Sequence, residues 1–587
     1  MMKRFPALLL ALSLALAPAA SAYDGHPKIV IILVIDQFRA DYLDRYRADF
    51  KTKNGFRLFL DKGAYFPECY YDYANTKTAP GHATIGTGAY TEGHGIQSNE
   101  WWDLARNKQR QITSVEDDRY RIVGAPDASI PALEPNAPAG AARYLPGASP
   151  RNLLASTVGD ELRLATQGEA RVFGVSLKDR AAILPSGATA NAAYWIEQKS
   201  GHFVTSSFYL AELPEWVKAF NDGPDAATAA TAAQVPGTTQ FYDEVGRTPA
   251  ANTYELAFAE ALISGEQLGK RDVPDLITIS LSANDILGHR VGPDSDAEHQ
   301  MVDALDVDLD AFFSWLDKNV DGGLGNVWVA LTADHGVAPI PSKAAALGLN
   351  AAAIDTAKLT ANLNDAMNQK FSPGEKIDYM LPKQELPYLT LNEPMFARAG
   401  INEPEAETAV EGAVAGAVDA LAKPAEGGVS DTKLPPKPML YRSYTRLELA
   451  KGEVPRSEFG SLLEHSYSPN GGWYVMVIPT AYQLESSGGT THYSPWSYDR
   501  HVPLGFYGAP FAPGVYRERA APVDLAATFA SLLGVNQPSA SIGHVLVDAL
   551  KPASAVVYPK PVIKPAPGKP SRRRRAQPGP APDTTPK

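Results

Sequence analysis

A chain of 587 residues with 44% hydrophobic content can bury a large core and is not a disordered protein. Its formal charge of −12 persists despite basic residues at both ends, so the body is strongly acidic, which argues against a nucleic-acid backbone as the main partner. Cys69 is the single cysteine; it excludes an intrachain disulfide and, with no basic or His-rich motif beside it, reads as a buried structural thiol rather than a nucleophile.

Residues 1–22, MMKRFPALLLALSLALAPAASA, place Lys3 and Arg4 before an apolar run that closes on Ala20-Ser21-Ala22. This is the pattern of a secretory signal peptide cleaved near Ala22, and it implies a periplasmic or secreted protein. A retained anchor would take about 18 or more apolar residues, and the run is too short. Lys28 to Ile35, KIVIILVI, is a continuous apolar, β-branched run ending in Asp36, as in a strand buried on both faces.

The stretch NTKTAPGHATIGTG, Asn75 to Gly88, offers a candidate nucleophile in Thr78 at the start of a helix. Pro80 suits a first helical turn, Gly81 permits close backbone approach, and unpaired amides there favour an anion. His82 reads as a supporting or core residue. Helices are expected over Arg151–Leu164, Ala251–Ser264 and Ser295–Asn319. Between them, Arg171 to Arg180 reads as a strand whose period of two puts Lys178 and Arg180 on one side.

Two further buried strands follow, DLITISLS ending near Asp285 and NVWVAL ending before Asp334 and His335. Alternating strands and helices give an α/β fold with a doubly wound, mostly parallel central sheet flanked by helices. From about 341 to 480, an Ala-rich helix (Ala344–Lys370), a second helix (Glu403–Leu421) with a capping box at Asn402 and Glu405, and strand-like sequence with a hairpin turn at Gly471-Gly472 read as cap elements inserted over the active site. The catalytic body is thus 23–550, and 551–587 is a disordered Pro/Ala/basic tail, a candidate contact for an anionic envelope surface.

Taken singly, the Asp285/His289 pair at i,i+4 is an ordinary ion pair, and His492 an ordinary loop histidine. Together the chain offers Asp36, Thr78, Asp334 and His335 to one metal ion, and Asp285, His289 and His492 to another. Carboxylate and imidazole without thiolate suit zinc, and two such ions about 4 Å apart meet the needs of in-line phosphoryl transfer.

VIDQFRADYL, TKTAPGHATIGTG, NDILGH with VGPDS, TADHG and THYSPWSYDRHVPL resemble, in this order, the alkaline phosphatase superfamily. More narrowly they are similar to the type I phosphodiesterase and nucleotide pyrophosphatase group with its PafA-type phosphomonoesterases. The resemblance spans about Lys28 to Leu550. It implies two zinc ions in the sets just named and Thr78 as nucleophile by way of a phosphothreonine. Asn99 matches the asparagine that holds a nonbridging oxygen, and Lys178 and Arg180 match a Lys-x-Arg pair of the monoesterase branch. The implied activity is a broad zinc-dependent alkaline phosphatase acting on small phosphate monoesters. A phosphodiesterase or nucleotide pyrophosphatase on the same scaffold is the alternative, followed by a catalytically silent phosphate-binding envelope protein. No sulfatase C/S-x-P-x-R motif or third, magnesium-like site is evident, and His501 has no assigned role.

Overall fold

A computed structural model describes residues 26–132, 143–421, 439–485 and 488–558. The expected signal peptide and the expected 551–587 tail from 559 onward lie outside the described residues; residues 551–558 are described and are not disordered, with a short 3-10 turn at Ala553–Ala555. Among the described residues, no helix is long and apolar enough to cross a membrane.

The Ile29–Ile35 strand has every residue buried and lies in the middle of an 11-stranded sheet. It runs parallel to Asp275–Leu281 on one side and Val327–Thr332 on the other. Val172–Ser176 and then Ala192–Ile196 extend the parallel block beyond Asp275–Leu281. Such strands are apolar throughout because both faces are covered, and each fully buried Ile, Leu or Val contributes about 1.5–3 kcal/mol. The flanks are antiparallel: His501–Tyr507 pairs with Val327–Thr332, and Phe203–Ser206 with Ala192–Ile196.

Register is what positions the site. Ile35 lies opposite Leu281, Val34 opposite Thr332, and Ser280 opposite Ser176, so four parallel strands end level. Whatever follows each strand is delivered to one rim of the sheet, which is where open parallel sheets bind ligands.

Four expectations needed correction; the first is the helix expected over Arg151–Leu164, which begins only at Val158, after the Thr157 cap. The strand expected over Arg171–Arg180 stops at Ser176; Lys178 becomes the N-cap of an Asp179–Ser186 helix, and Arg180 lies in its first turn. A period of two cannot tell a strand from the turn that ends it. The Ala-rich helix is two helices, Pro341–Ala346 and Thr356–Phe371, separated by a short strand, Ala352–Ile354. Gly471-Gly472 is not a hairpin turn: Leu440–Thr445 and Tyr474–Pro479 are antiparallel partners, but two helices, Arg446–Lys451 and Glu458–Glu464, lie between them.

These two strands and Tyr388–Thr390 form a separate three-stranded sheet with its own apolar cluster, including Leu363, Phe396, Val410 and Val475. The Glu403–Asp419 helix packed there is capped by the Asn402 side chain, which accepts from Glu405 N–H. At the C-terminal end of the described chain, Tyr558 still packs against the main core.

Candidate active site

Asp36, Lys178, Asp285 and the Asp334-His335 pair all follow the four level strand ends. Asp36, Asp334 and His335 are 0% exposed. Lys178 Nζ is 2.6 Å from Asp36 Oδ2 and also donates to Asp285 Oδ2. Burial pulls the Lys178 ammonium toward its neutral form, but Asp285 and Asp36 outweigh it and hold its pKa above the ordinary lysine value.

Thr78 opens a ten-residue helix, Thr78–Thr87, in which every residue is buried. Its first turn rests directly on the Asp334 backbone: a Cβ on Gly81 would lie 2.2 Å from the Asp334 carbonyl oxygen. That approach brings Thr78 Oγ1 to 3.5 Å from His335 Nε2. His82, one turn on, has Nδ1 2.8 Å from the Thr78 carbonyl, Nε2 2.6 Å from Ser280 Oγ, and Nδ1 3.3 Å from Asp334 Oδ2.

Asp285 and His289 share one face of the Ala283–Val291 helix, with His289 Nε2 3.1 Å from Asp285 Oδ1. His492 Nε2 approaches the same oxygen at 3.7 Å, and its ring stacks on His335 with centroids 3.4 Å apart. Each of the three histidines turns Nδ1 to a backbone carbonyl: His289 to Thr490, His335 to Gly336 and His492 to Thr76. A carbonyl accepts only from N–H, so Nδ1 carries the proton and Nε2 faces the carboxylates, the tautomer a metal needs.

The electrostatics point the same way. Burial, then Asp285 and Asp334, push the Asp36 carboxyl well above its usual range. Burial also works against Asp334, yet His335 and His82 hold it well below the usual range. His335 is raised to about 9 against the effect of burial, by Asp334 first and then Asp36 and Asp285. Asp36 Oδ1 and Asp334 Oδ2 are buried without a hydrogen-bond partner. Orphaned carboxylate oxygens beside imidazole nitrogens, with no thiolate, fit divalent cations of the zinc type. Two compact groups form, Asp285 with His289 and His492, and Asp36 with His335 and again Asp285. Asp334 Oδ2 lies 3.3 Å from His335 Nε2.

Asn99 and Arg180 stand on the open side. Asn99 Oδ1 accepts from Ala79 N–H at 2.8 Å, which fixes it to the start of the Thr78 helix. Both residues line a cavity of about 210 Å³ with Glu100, Thr113, Lys383 and Glu385. Lys178 is not among the lining residues; its ammonium lies on the Asp36 and Asp285 carboxylates, with the Arg180 guanidinium near enough to act against its charge. His501 stacks on Tyr70 with its Nε2 2.7 Å from the Pro67 carbonyl, away from the other histidines.

Some contacts escaped sequence reasoning. Gln37, with φ of +62°, donates from its backbone to Asp334 Oδ1 and from its amide to Asp285 Oδ1. Asp499 is fully buried and accepts from Tyr493 N–H, Ser494 N–H and the Ser494 hydroxyl, bracing the loop that carries His492. Both positions lie inside motifs quoted above, VIDQFRADYL and THYSPWSYDRHVPL, but nothing in the sequence assigned either a role. Lys77, next to Thr78, forms an ion pair with Glu385 at 2.7 Å.

Against known proteins, residues 30–394 match the model of the type I phosphodiesterase / nucleotide pyrophosphatase family. Alkaline phosphatase PhoV of Synechococcus elongatus is 30% identical over 562 residues, covering 90% of this chain and 94% of the relative. A Myroides odoratus protein named a calcium-transporting ATPase is also 30% identical, over 89% of this chain and 95% of its own length. The crystal structure of alkaline phosphatase PafA superposes with a TM-score of 0.75 at 28% identity, covering 90% of this chain and all of that one. The level strand ends, the buried helix at Thr78 and these full-length similarities together place the chain in the type I phosphodiesterase / nucleotide pyrophosphatase family, alongside its PafA- and PhoV-like alkaline phosphatases.

Proposed function

We propose that the protein is an exported, zinc-dependent alkaline phosphatase that hydrolyses small phosphate monoesters by way of a phosphothreonine at Thr78. The coarser part, a phosphoric monoester hydrolase, rests on alkaline phosphatase relatives aligned over most of the chain. One observation carries the finer part. Thr78 Oγ1 sits 3.5 Å from His335 Nε2, at the start of the helix to which Asn99 Oδ1 is fixed through Ala79 N–H.

In this reading Thr78 Oγ1 attacks phosphorus, the bond to the ester oxygen breaks, and the alcohol departs with a proton. Water then attacks the phosphothreonine and releases phosphate. Asn99, Lys178 and Arg180 bind the nonbridging oxygens, the extra charge of a monoester dianion giving the two cations their selectivity over diesters. Two zinc ions, one held by Asp36, Asp334, His335 and Thr78 and the other by Asp285, His289 and His492, would supply positive charge to activate the attacking oxygen and stabilise the leaving one. The body is 23–550, and the three-stranded lobe within about 341–480 serves as a cap, supported by Lys383 and Glu385 reaching the cavity wall.

The test is kcat/KM of zinc-loaded protein on an aryl phosphate monoester and on the matching diester, with a chelator control. A monoester preference abolished by the chelator and restored by zinc is expected. A diester preference would move the protein to the phosphodiesterase branch, and no turnover of either would leave a phosphate-binding protein.

A further inference from the structure

The three residues leading into the Thr78 helix are each held by a different element. Asn75 donates to Thr91 Oγ1 and the Gln97 carbonyl, both at 2.9 Å. Thr76 donates to the Ser494 carbonyl at 3.1 Å. Lys77, the extended N-cap residue with φ −128° and ψ 163°, makes no side-chain cap. Its side chain, 9% exposed, instead reaches Glu385, 308 residues away.

Glu385 is a firm anchor. Its carbonyl accepts from Tyr388 N–H at 3.0 Å, and Tyr388 enters the three-stranded sheet. The neighbouring Lys383 carbonyl accepts from Trp102 Nε1 at 2.8 Å. Burial pushes the Glu385 carboxyl up, but Lys77 and then Lys383 more than offset it and hold it below its usual range. A buried ion pair is a poor source of stability, and a well-packed apolar pair of the same volume often does as well. What such a pair can provide is direction: Lys77, 9% exposed, loses this carboxylate when Glu385 is removed, whereas Glu385, 25% exposed, keeps Lys383 at 3.6 Å when Lys77 is removed.

We infer that Lys77 and Glu385 are positioning residues that fix the backbone turn into Thr78, so that the second lobe sets the angle at which the nucleophile meets phosphorus. This rests on Thr78 as the nucleophile. A displacement of about 1 Å in a reacting atom costs about 10²-fold in rate. The pair acts on that atom; because Glu385 also lines the cavity of Asn99 and Arg180, inhibition by phosphate separates an effect on the cavity from one on the nucleophile.

The experiment is a double-mutant cycle on the zinc-loaded, full-length protein with Lys77→Met, Glu385→Gln and the double variant, measuring kcat/KM for an aryl phosphate and inhibition by inorganic phosphate. Each single variant is expected to lose about 30- to 100-fold in kcat/KM, with phosphate inhibition within about threefold, and the double variant to lose no more than the worse single. Folded single variants within threefold of wild type, multiplicative losses in the double variant, or equal weakening of phosphate inhibition would overturn the inference. If Lys77→Met does not fold, Lys77→Arg replaces it and is expected to retain most of the activity, whereas a loss in Lys77→Arg as large as that of Glu385→Gln would overturn the inference. Thr78→Ala assayed alongside separates the two readings: retained activity there removes the nucleophile itself, whereas an inactive Thr78→Ala with unaffected pair variants removes only the pair.

Discussion

The inner and outer halves of the site are built differently. Asp36, Asp334 and His335 are 0% exposed and are bound to the sheet: the Asp36 amide donates to the Leu281 carbonyl, and Asp334 receives the Gln37 amide. On the outer half the His289 side chain is 38% exposed, and the loop at Thr490 holds it by a mutual clasp in which Thr490 N–H donates to the His289 carbonyl and His289 Nδ1 to the Thr490 carbonyl. The inner half is therefore set by the sheet, whereas in the outer half Asp285 and His492 are buried and it is His289 that reaches solvent. In the proposed mechanism the inner half serves the invariant partner, Thr78, and the outer half faces the variable one, the leaving group.

Asp334→Asn should break the inner half outright. It exchanges a carboxylate that receives Gln37 N–H and lies beside two histidines, and about 10³-fold or more in kcat/KM should be lost at any zinc concentration. Recovery of activity with excess zinc would place Asp334 on the same footing as the outer ligands. His289→Ala should cost roughly 10²-fold at stoichiometric zinc and regain much of that with excess zinc, because the clasp still has its backbone arm. Zinc titrations followed by activity distinguish the two patterns.

Gln37→Ala tests whether the halves are coupled, since this one side chain and its own amide touch Asp285 and Asp334 together. A loss of about tenfold in zinc affinity is expected, measured by competition with a chelator. An unchanged affinity would mean that the two halves are set independently.

The smallest effect on turnover belongs to His94, which lies behind the Thr78 helix with Nε2 3.2 Å from Thr84 Oγ1 and Nδ1 accepting from Ile96 N–H. Burial pushes its pKa down to about 3, so the folded protein holds it neutral while the unfolded chain protonates below about pH 6.5. Its contribution is complete above pH 6.5 and is lost as pH falls toward 3, the unfolded state binding the extra proton. His94→Gln should keep activity within about threefold at pH 8. It should also remove about 2 kcal/mol of the wild-type loss in stability between pH 6.5 and 5, as read by chemical denaturation. An identical acid profile in the variant would show that His94 protonates freely in the fold.

Much of the strand-end acid set was legible because it is strand grammar: an apolar run, then an acid, repeated at Ile35-Asp36 and Thr332 with Asp334 in the inner half, and at Leu281 with Asp285 in the outer. Register then did what no single motif could, levelling those ends. Lys178 and Arg180 were harder. Their spacing was read on a strand that ends two residues before Lys178, and a turn obeys no period, so one cation lies on carboxylates and the other faces the cavity. Gln37 and Lys77 lie inside quoted motifs, but nothing local named the partners they meet. Their partners lie 248 to 308 residues away, and only the folded topology decides that they meet.

The Thr78–Thr87 helix buries all ten of its residues. Its amides therefore have no fraying route to solvent and should exchange hydrogen for deuterium only when the whole domain opens. For this protein the protection of one short peptide, recovered by mass spectrometry, would then report global stability from inside the catalytic centre. Heat inactivation and loss of that protection should follow the same curve.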